Sequence, residues 1–180
     1  MNESLLIIGG SNIDYIATSK DKIQNGVSNI GTISISFGGV ARNICENLAR
    51  LGAKIDFITT IGNDLYGENI KKDLINLGVN VIYPKVELPT SSYLAINDSN
   101  HDLALSICGN RIDEINSNFL SDYYKFILEH NYVILDANLN EDAIKYIFLN
   151  FSNKKIIVDA ISPTKVLKFR NYLDKIYLLK

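Results

Sequence analysis

Tryptophan is absent from the sequence, and methionine (one), histidine (two) and cysteine (two) are scarce. The missing tryptophan reads as coding bias. The other scarcities remove whole classes of function. Cys45 and Cys108 lie far apart and without metal-ligand spacing, which suits a reducing, cytoplasmic setting. His101 and His130 have no Cys, Asp or Glu partner at ligand spacing, so a metal held by them is not expected. His101 falls in a polar turn, and His130 follows a helical pattern, where a cation suits the helix dipole. No apolar run approaches the roughly 18 residues of a membrane span. The N-terminal MNESLLIIGG is too short in its apolar part, and lacks the basic flank, for a secretion signal. Basic runs are missing too. Eighteen Lys and Arg are interspersed with 20 Asp and Glu, giving a net charge of −2. That leaves no footprint for nucleic acid or an anionic membrane. Neither G-x-S-x-G nor a Walker A loop occurs, and there is no repeat, linker or low-complexity tract.

What is present is enough apolar residue, 47% of 180, for one packed domain. SLLIIGG, KIDFITTIG, VNVIY, YVILDAN, KKIIVDA and KIYLLK are short apolar runs of buried-strand type. Between them the period becomes helical. Val40, Ile44, Leu48 and Leu51 predict an apolar helix face stopped by Gly52. Asp64 caps a helix to Leu77, ended by Gly78; Ser117 or Asn118 caps FLSDYYKFILEH; Asn140 caps EDAIKYIFLNF; TKVLKFRNYL is a short helix. Alternation of strand and helix predicts an α/β fold, a parallel sheet with helices on both faces. Two segments break the rhythm with period-2 alternation, about 14–37 around an Asn-Gly turn and about 91–107 around the polar DSNH. Paired together, they would make one small sheet beside the main one. The final strand runs to Lys180 and delivers no loop to the carboxyl edge where open α/β sheets bind ligands, so a fold cut short is expected.

The polar residues worth weighing sit at strand ends. In GGSNID, positions 9–14, the glycines are adjacent and lead into alternating residues, unlike the G-x-G-x-x-G of a dinucleotide site. Asn12 and Asp14, two apart on extended backbone, share one face. An amide and a carboxylate there suit a polyhydroxylated ligand, or form a solvated turn. In SFGGVARNICENLARLG, Gly38 and Gly39 precede a helix with Asn43 in its first turn. Either the turn needs glycine, or backbone and free helix N–H groups cradle a polar ligand. Arg42 and Asn63 are expected to be solvated, Asp64 to be an N-cap, and Cys45 to be core.

GGSNID, SFGGVARNICENLARLG and FITTIGNDLYG, in this order, resemble the N-terminal half of the ribokinase-like (PfkB) sugar and nucleoside kinases, whose first signature is G-G-x-x-x-N. The resemblance spans the whole chain. SNID, the T-S-S-Y of PTSSYLAIND, the D-A-N of VILDANLNEDAI and VDAISPTKVLKFRNYLDKI are most similar to the pseudouridine kinase branch. It implies ATP- and Mg²⁺-dependent phosphorylation of a hydroxymethyl group on a ribose-like ring. Asn12 and Asp14 would then hold ribose hydroxyls, and Gly38, Gly39 and Asn43 the cradle. The alternating segments would be lid strands, through which a homodimer can form. Ser92, within Thr90–Tyr93 near the lid hinge, and Asn138 at a strand end would face the sugar, with Asp159 towards the nucleotide. The family's catalytic aspartate lies in a G-A-G-D motif whose glycines also form an anion hole, and an N-x-x-E segment is linked to Mg²⁺. G-A-G-D does not occur in these 180 residues, and no N-x-x-E follows the strand KIYLLK, where the family places that segment, so the chain alone is expected to be inactive. A ribose or fructose type of PfkB kinase, a non-catalytic sugar-binding module and an unrelated α/β domain are the alternatives.

Overall fold

Leu6, Ile7 and Ile8 are all fully buried, although successive strand residues point to opposite faces. Only a sheet covered on both sides allows that. A computed structural model, describing residues 5–85, 87–109 and 111–180, shows how it is met. Ser4, at the start of the first expected strand, lies outside the described residues. In chain order the first elements are β1 (Leu5–Ile8), β2 (Asn12–Ser19), β3 (Gly31–Gly38), α1 (Val40–Arg50), β4 (Ile55–Ile58), α2 (Leu65–Asn76) and β5 (Asn80–Ile82). Then come β6 (Ser92–Asn97), β7 (Leu103–Gly109), α3 (Ser117–Asp122), α4 (Tyr124–Leu128), β8 (Tyr132–Asp136) and α5 (Glu141–Asn150). β9 (Lys155–Asp159), α6 (Pro163–Val166), a 3-10 stretch over Leu167–Lys175 and β10 (Ile176–Leu179) complete the described chain.

The expected α/β architecture is borne out. Six strands form a parallel sheet in the order β10-β9-β8-β1-β4-β5. Leu6 and Ile8, with Val133, Leu135, Ile156 and Val158, pack under α5 and the Phe148–Phe151–Phe169 cluster on one face. Ile7, Phe57 and Ile134 pack with Ile70 and Leu74 of α2 on the other. The chain runs outward from β1 through β4 to β5, then returns to β8 on the other side of β1. The gap between β1 and β8 is therefore the point at which strand order reverses, where open α/β sheets bind ligands.

The two alternating segments form a second sheet in the order β3-β2-β6-β7. β2–β3 and β6–β7 are antiparallel, and β2 joins β6 in parallel. The strands lie within residues 12–38 and 92–109, extending the expected 14–37 at both ends and the expected 91–107 at its C-terminal end alone.

Several local expectations need correcting. The fully buried residues of α1 are Ala41, Arg42 and Cys45; of the expected Val40–Ile44–Leu48–Leu51 stripe, Ile44 and Leu48 are half-buried and pack against this core, whereas Leu51 is 83% exposed. Small residues face the sheet because the helix comes close to it: a Cβ on Gly9 would lie 2.5 Å from that of Ala41. The N-cap of α3 is Asn116, whose side chain accepts from Phe119 N, not Ser117 or Asn118. FLSDYYKFILEH is two helices interrupted at Tyr123, and TKVLKFRNYL is one α-turn continued as 3-10. His130 is buried; its ring bonds Phe126 O and Asp56 Oδ2, each at 2.9 Å. That aspartate is 74 residues away, a partner that spacing along the chain could not reveal.

Candidate functional site

The site is assembled at the carboxyl ends of β1 and β8. Asp136 closes β8 and is fully buried. Its Oδ2 accepts from Gly10 N and Ala41 N, both at 3.2 Å, and its Oδ1 accepts from Asn138 N at 2.8 Å. Burial pushes the Asp136 carboxyl above the usual aspartate range, and the backbone donors only partly offset this. One carboxylate thus ties the β1–β2 turn, the first turn of α1 and the β8–α5 turn together. One donor of the expected cradle is thereby already taken. The Ala41 N–H at the start of α1 is turned inward to Asp136 and is not free for a ligand.

The glycine pair also serves the protein's own packing. Gly39 has φ +101°, and a Cβ there would lie 2.4 Å from Gly10 O. A Cβ on Gly38 would lie 2.2 Å from Asp14 Oδ2. Gly38 makes room for the Asp14 carboxylate and does not itself line the cleft described below.

Asn12 Nδ2 donates to Asp14 Oδ1, as sharing one strand face predicts. Burial raises the Asp14 pKa, against the pull of Asn12 and the Arg42 guanidinium. Arg42 is not solvated as expected but only 8% exposed. Its Nη1 donates to Phe37 O (3.3 Å) and Asn43 Oδ1 (3.2 Å), and its Nη2 pairs with Glu46 Oε2 at 2.6 Å. Asn43 itself is exposed and faces the cleft.

The second sheet is held to the main domain through Asp64, which is more than an N-cap. Its Oδ1 accepts from Gly67 N (2.8 Å) and Thr90 Oγ1 (2.6 Å), and its Oδ2 from Thr90 N at 2.7 Å. Burial acts to raise its pKa, but these hydrogen bonds outweigh it and hold the carboxyl low. Next in the chain, Ser91 O accepts from Ile13 N at 2.8 Å, which starts the β2–β6 pairing.

Beyond β8, Lys165 Nζ donates to Asn138 Oδ1 at 2.6 Å, and Lys168 Nζ donates to Leu139 O. The result is a cleft of about 640 Å³ between the two sheets. Six residues singled out from sequence line it: Asn12, Asp14, Gly39, Asn43, Ser92 and Asn138. Tyr93, Cys108, Lys165 and Lys168 line it as well; sequence reading passed over the last two, although a lysine pair three apart after an N-cap serine was visible. Asp159 stands outside this lining. Its Oδ2 pairs with Lys180 Nζ (2.9 Å) and its Oδ1 accepts from Ile161 N at 3.0 Å. Among the described residues no group of three or more His, Cys, Asp or Glu side chains could hold a metal ion, and no helix is long and apolar enough to cross a membrane.

The two cysteines should separate chemically. Burial raises the Cys45 thiol to about 12, whereas Cys108 is exposed on the cleft wall. Alkylation by iodoacetamide at pH 8, read by mass spectrometry, is expected to modify one thiol in the native protein, at Cys108, and two in denaturant. Rapid native modification of Cys45 would contradict the packing of α1.

The pfkB family carbohydrate kinase profile matches residues 2–180. Pseudouridine kinase of Escherichia coli strain K12 is 34% identical over 181 residues, covering 98% of this chain and 57% of that protein. An uncharacterized sugar kinase of the same strain is 33% identical, covering 99% and 50%. Among solved structures, a carbohydrate kinase from Agrobacterium tumefaciens superposes with a TM-score of 0.86 at 26% identity, covering 98% of this chain and 60% of that one. Arabidopsis thaliana ribokinase complexed with ribose and ATP shares the fold, at a TM-score of 0.78 and 18% identity over 99% of this chain and 60% of that one. The chain spans about half the length of the curated relatives it matches.

Proposed function

The chain belongs to the pfkB family of carbohydrate kinases, and on that footing we propose that it carries the sugar-binding part of an ATP-dependent nucleoside kinase. The acceptor is the 5-hydroxymethyl group of a ribose-containing nucleoside, pseudouridine in the first instance, and the setting is the cytoplasm. The observation that carries this reading is the Asn12–Asp14 pair facing a polar cleft at the strand-order reversal. An ionised carboxylate accepts hydrogen bonds from ribose hydroxyls, and charge makes those bonds the stronger kind. Asn43, braced by Arg42, and Asn138, braced by Lys165, supply neutral polar contacts at fixed positions. Gly39 keeps side-chain bulk out of the cleft wall, Gly38 leaves space for Asp14, and Ser92 sits where β6 enters the small sheet. That sheet acts as the lid.

ATP and Mg²⁺ belong to the same proposal, for the whole protein. Among the described residues no three His, Cys, Asp or Glu side chains cluster as metal ligands, and Asp159 is engaged by Lys180, so the nucleotide and metal contacts and the catalytic base are proposed to lie on other residues of the whole protein. The outer face of the lid carries Ile33, Ile35, Leu105 and Ile107, all exposed. Tyr15 pairs with Ile35 and Leu94, and Leu94 with Ile107, so the apolar rows are continuous. Lid-to-lid pairing in a homodimer covers such a face.

Calorimetric titration of the chain with pseudouridine and with ribose tests the binding half of the proposal. Conversion of pseudouridine to its 5′-phosphate by the complete gene product tests the rest. Saturable binding with ATP-dependent turnover is expected. Binding without turnover would make this a sugar-binding module, and no binding by either preparation would overturn the reading.

A further inference from the structure

Lys165 is an exposed lysine whose side chain is nonetheless held in place. Asn138 Oδ1 takes one ammonium proton at 2.6 Å. Asn138 is itself oriented from behind: its backbone N–H and its side-chain amide both bond the buried Asp136 carboxylate. The chain of contacts therefore runs from the fold's central carboxylate, through one amide, to one ammonium on the cleft wall. Two of the three ammonium protons remain for a ligand. Elsewhere on the wall Asp14 offers acceptor oxygens, and Tyr93 offers an aromatic ring on the neighbouring strand. The volume, about 640 Å³, is that of a site for a complete small-molecule ligand and exceeds what a pentose alone fills.

We propose that Lys165 is a specificity-determining residue that selects nucleosides whose base presents a keto oxygen and rejects those presenting an amino group at the same position. The proposal rests on the nucleoside reading of the cleft. Ribose hydroxyls both donate and accept, and the Asn12–Asp14 pair already matches them. A fixed cation that can only donate is matched by an oxygen carrying lone pairs alone, which is what a base carbonyl provides. An exocyclic amino group would turn its own N–H bonds towards the ammonium, leaving both donors unpaired, so discrimination has an attractive and a repulsive part. Phosphate oxygens share the carbonyl's acceptor chemistry. In the same cleft the Asp14 carboxylate opposes a phosphate dianion and Lys168, a second ammonium on the wall, favours one, so phosphate competition distinguishes the two.

The test compares matched pairs on the same 180-residue chain by calorimetry: inosine against adenosine, and uridine against cytidine, with ribose as reference. In the unaltered chain the keto member of each pair is expected to bind about tenfold tighter or more. Lys165→Met should abolish that preference, read as the affinity ratio within each pair. Because it also removes the brace on Asn138, any loss of ribose affinity is shared by both members of a pair and leaves the readout intact. Lys165→Arg should restore part of the ratio. A general structural effect would lower the keto and amino members of a pair by the same factor and keep their ratio. Equal binding of keto and amino members before substitution, or a preference that survives Lys165→Met, overturns the proposal. Competition of inorganic phosphate with inosine, lost in Lys165→Met, would assign the ammonium to a phosphoryl group and overturn it too. If ribose and every nucleoside fail to bind, the parent reading of the cleft fails, a result distinct from binding without base discrimination.

Discussion

Asp136→Ala is expected to destabilise the fold by roughly 3–5 kcal/mol, more than any other single polar substitution considered for this protein. Three backbone N–H groups, from Gly10, Ala41 and Asn138, lose their acceptor at once. Each unsatisfied buried donor costs about 1–3 kcal/mol, and truncation leaves a void too enclosed for water to repair freely. For a domain of this size, that corresponds to a fall in Tm of about 6–20 °C. Urea unfolding followed by circular dichroism measures it. Asp136→Asn should cost less, because one oxygen still accepts, but its NH₂ group must face either one backbone donor or two. A change below about 1 kcal/mol for the alanine variant would mean that the turn does not depend on this carboxylate.

The same residue gives a pH signature with a definite sign. Burial holds the native Asp136 pKa above the ordinary value of 3.8, so the native state takes up this proton before the unfolded chain does. Ionised Asp136 therefore costs stability at neutral pH. That cost is relieved as pH falls from the native pKa towards 3.8 and is constant above the native pKa. Asp136→Asn should remove this component from the pH profile of the unfolding free energy.

Asp14→Ala is expected to weaken binding of ribose-containing ligands by about 10- to 100-fold, the value of one or two charge-assisted hydrogen bonds to hydroxyls. Stability should change little, since the carboxylate bonds only Asn12 among its side-chain neighbours and is held against burial. Asp14→Asn keeps the shape and loses the charge, so an intermediate affinity is expected. Because burial raises the Asp14 pKa, affinity should fall on acidification at a pH above 3.8. Pseudouridine affinity measured by calorimetry from neutral to acid pH checks both points. Equal affinity of the unaltered and Asp14→Ala chains would remove Asp14 from the site.

Much of the architecture was legible because the patterns that encode it are local. The apolar runs at Leu5–Ile8, Ile55–Ile58 and Tyr132–Asp136 carry their own period, and Asp64 and Asn140 bond donors only three residues away. The neighbouring errors are of the same kind. Asn116 displaced Ser117 as a cap because a one-residue shift scarcely changes the sequence pattern. The α1 stripe is only partly met, because the close approach to the sheet admits Ala41 and Cys45 at its centre and leaves the larger Ile44 and Leu48 at its margin.

The sequence by itself determined the alternation of strand and helix, the two period-2 segments and the one-sided placement of Asn12 and Asp14, since backbone geometry repeats every two or 3.6 residues whatever surrounds it. Tertiary structure alone decided the rest. Asp136 became the buried tie behind the cleft through Gly10 and Ala41, which are 126 and 95 residues away. Arg42 was drawn inward by the Phe37 carbonyl and Glu46. β2 met β6 in parallel across more than 70 residues because hydrogen-bonding edges must be satisfied wherever the fold brings them together. Lys165 acquired its place from an amide on another strand end. A carboxylate or an ammonium has no sequence period of its own; its partner is whichever group the packed chain places within three ångströms.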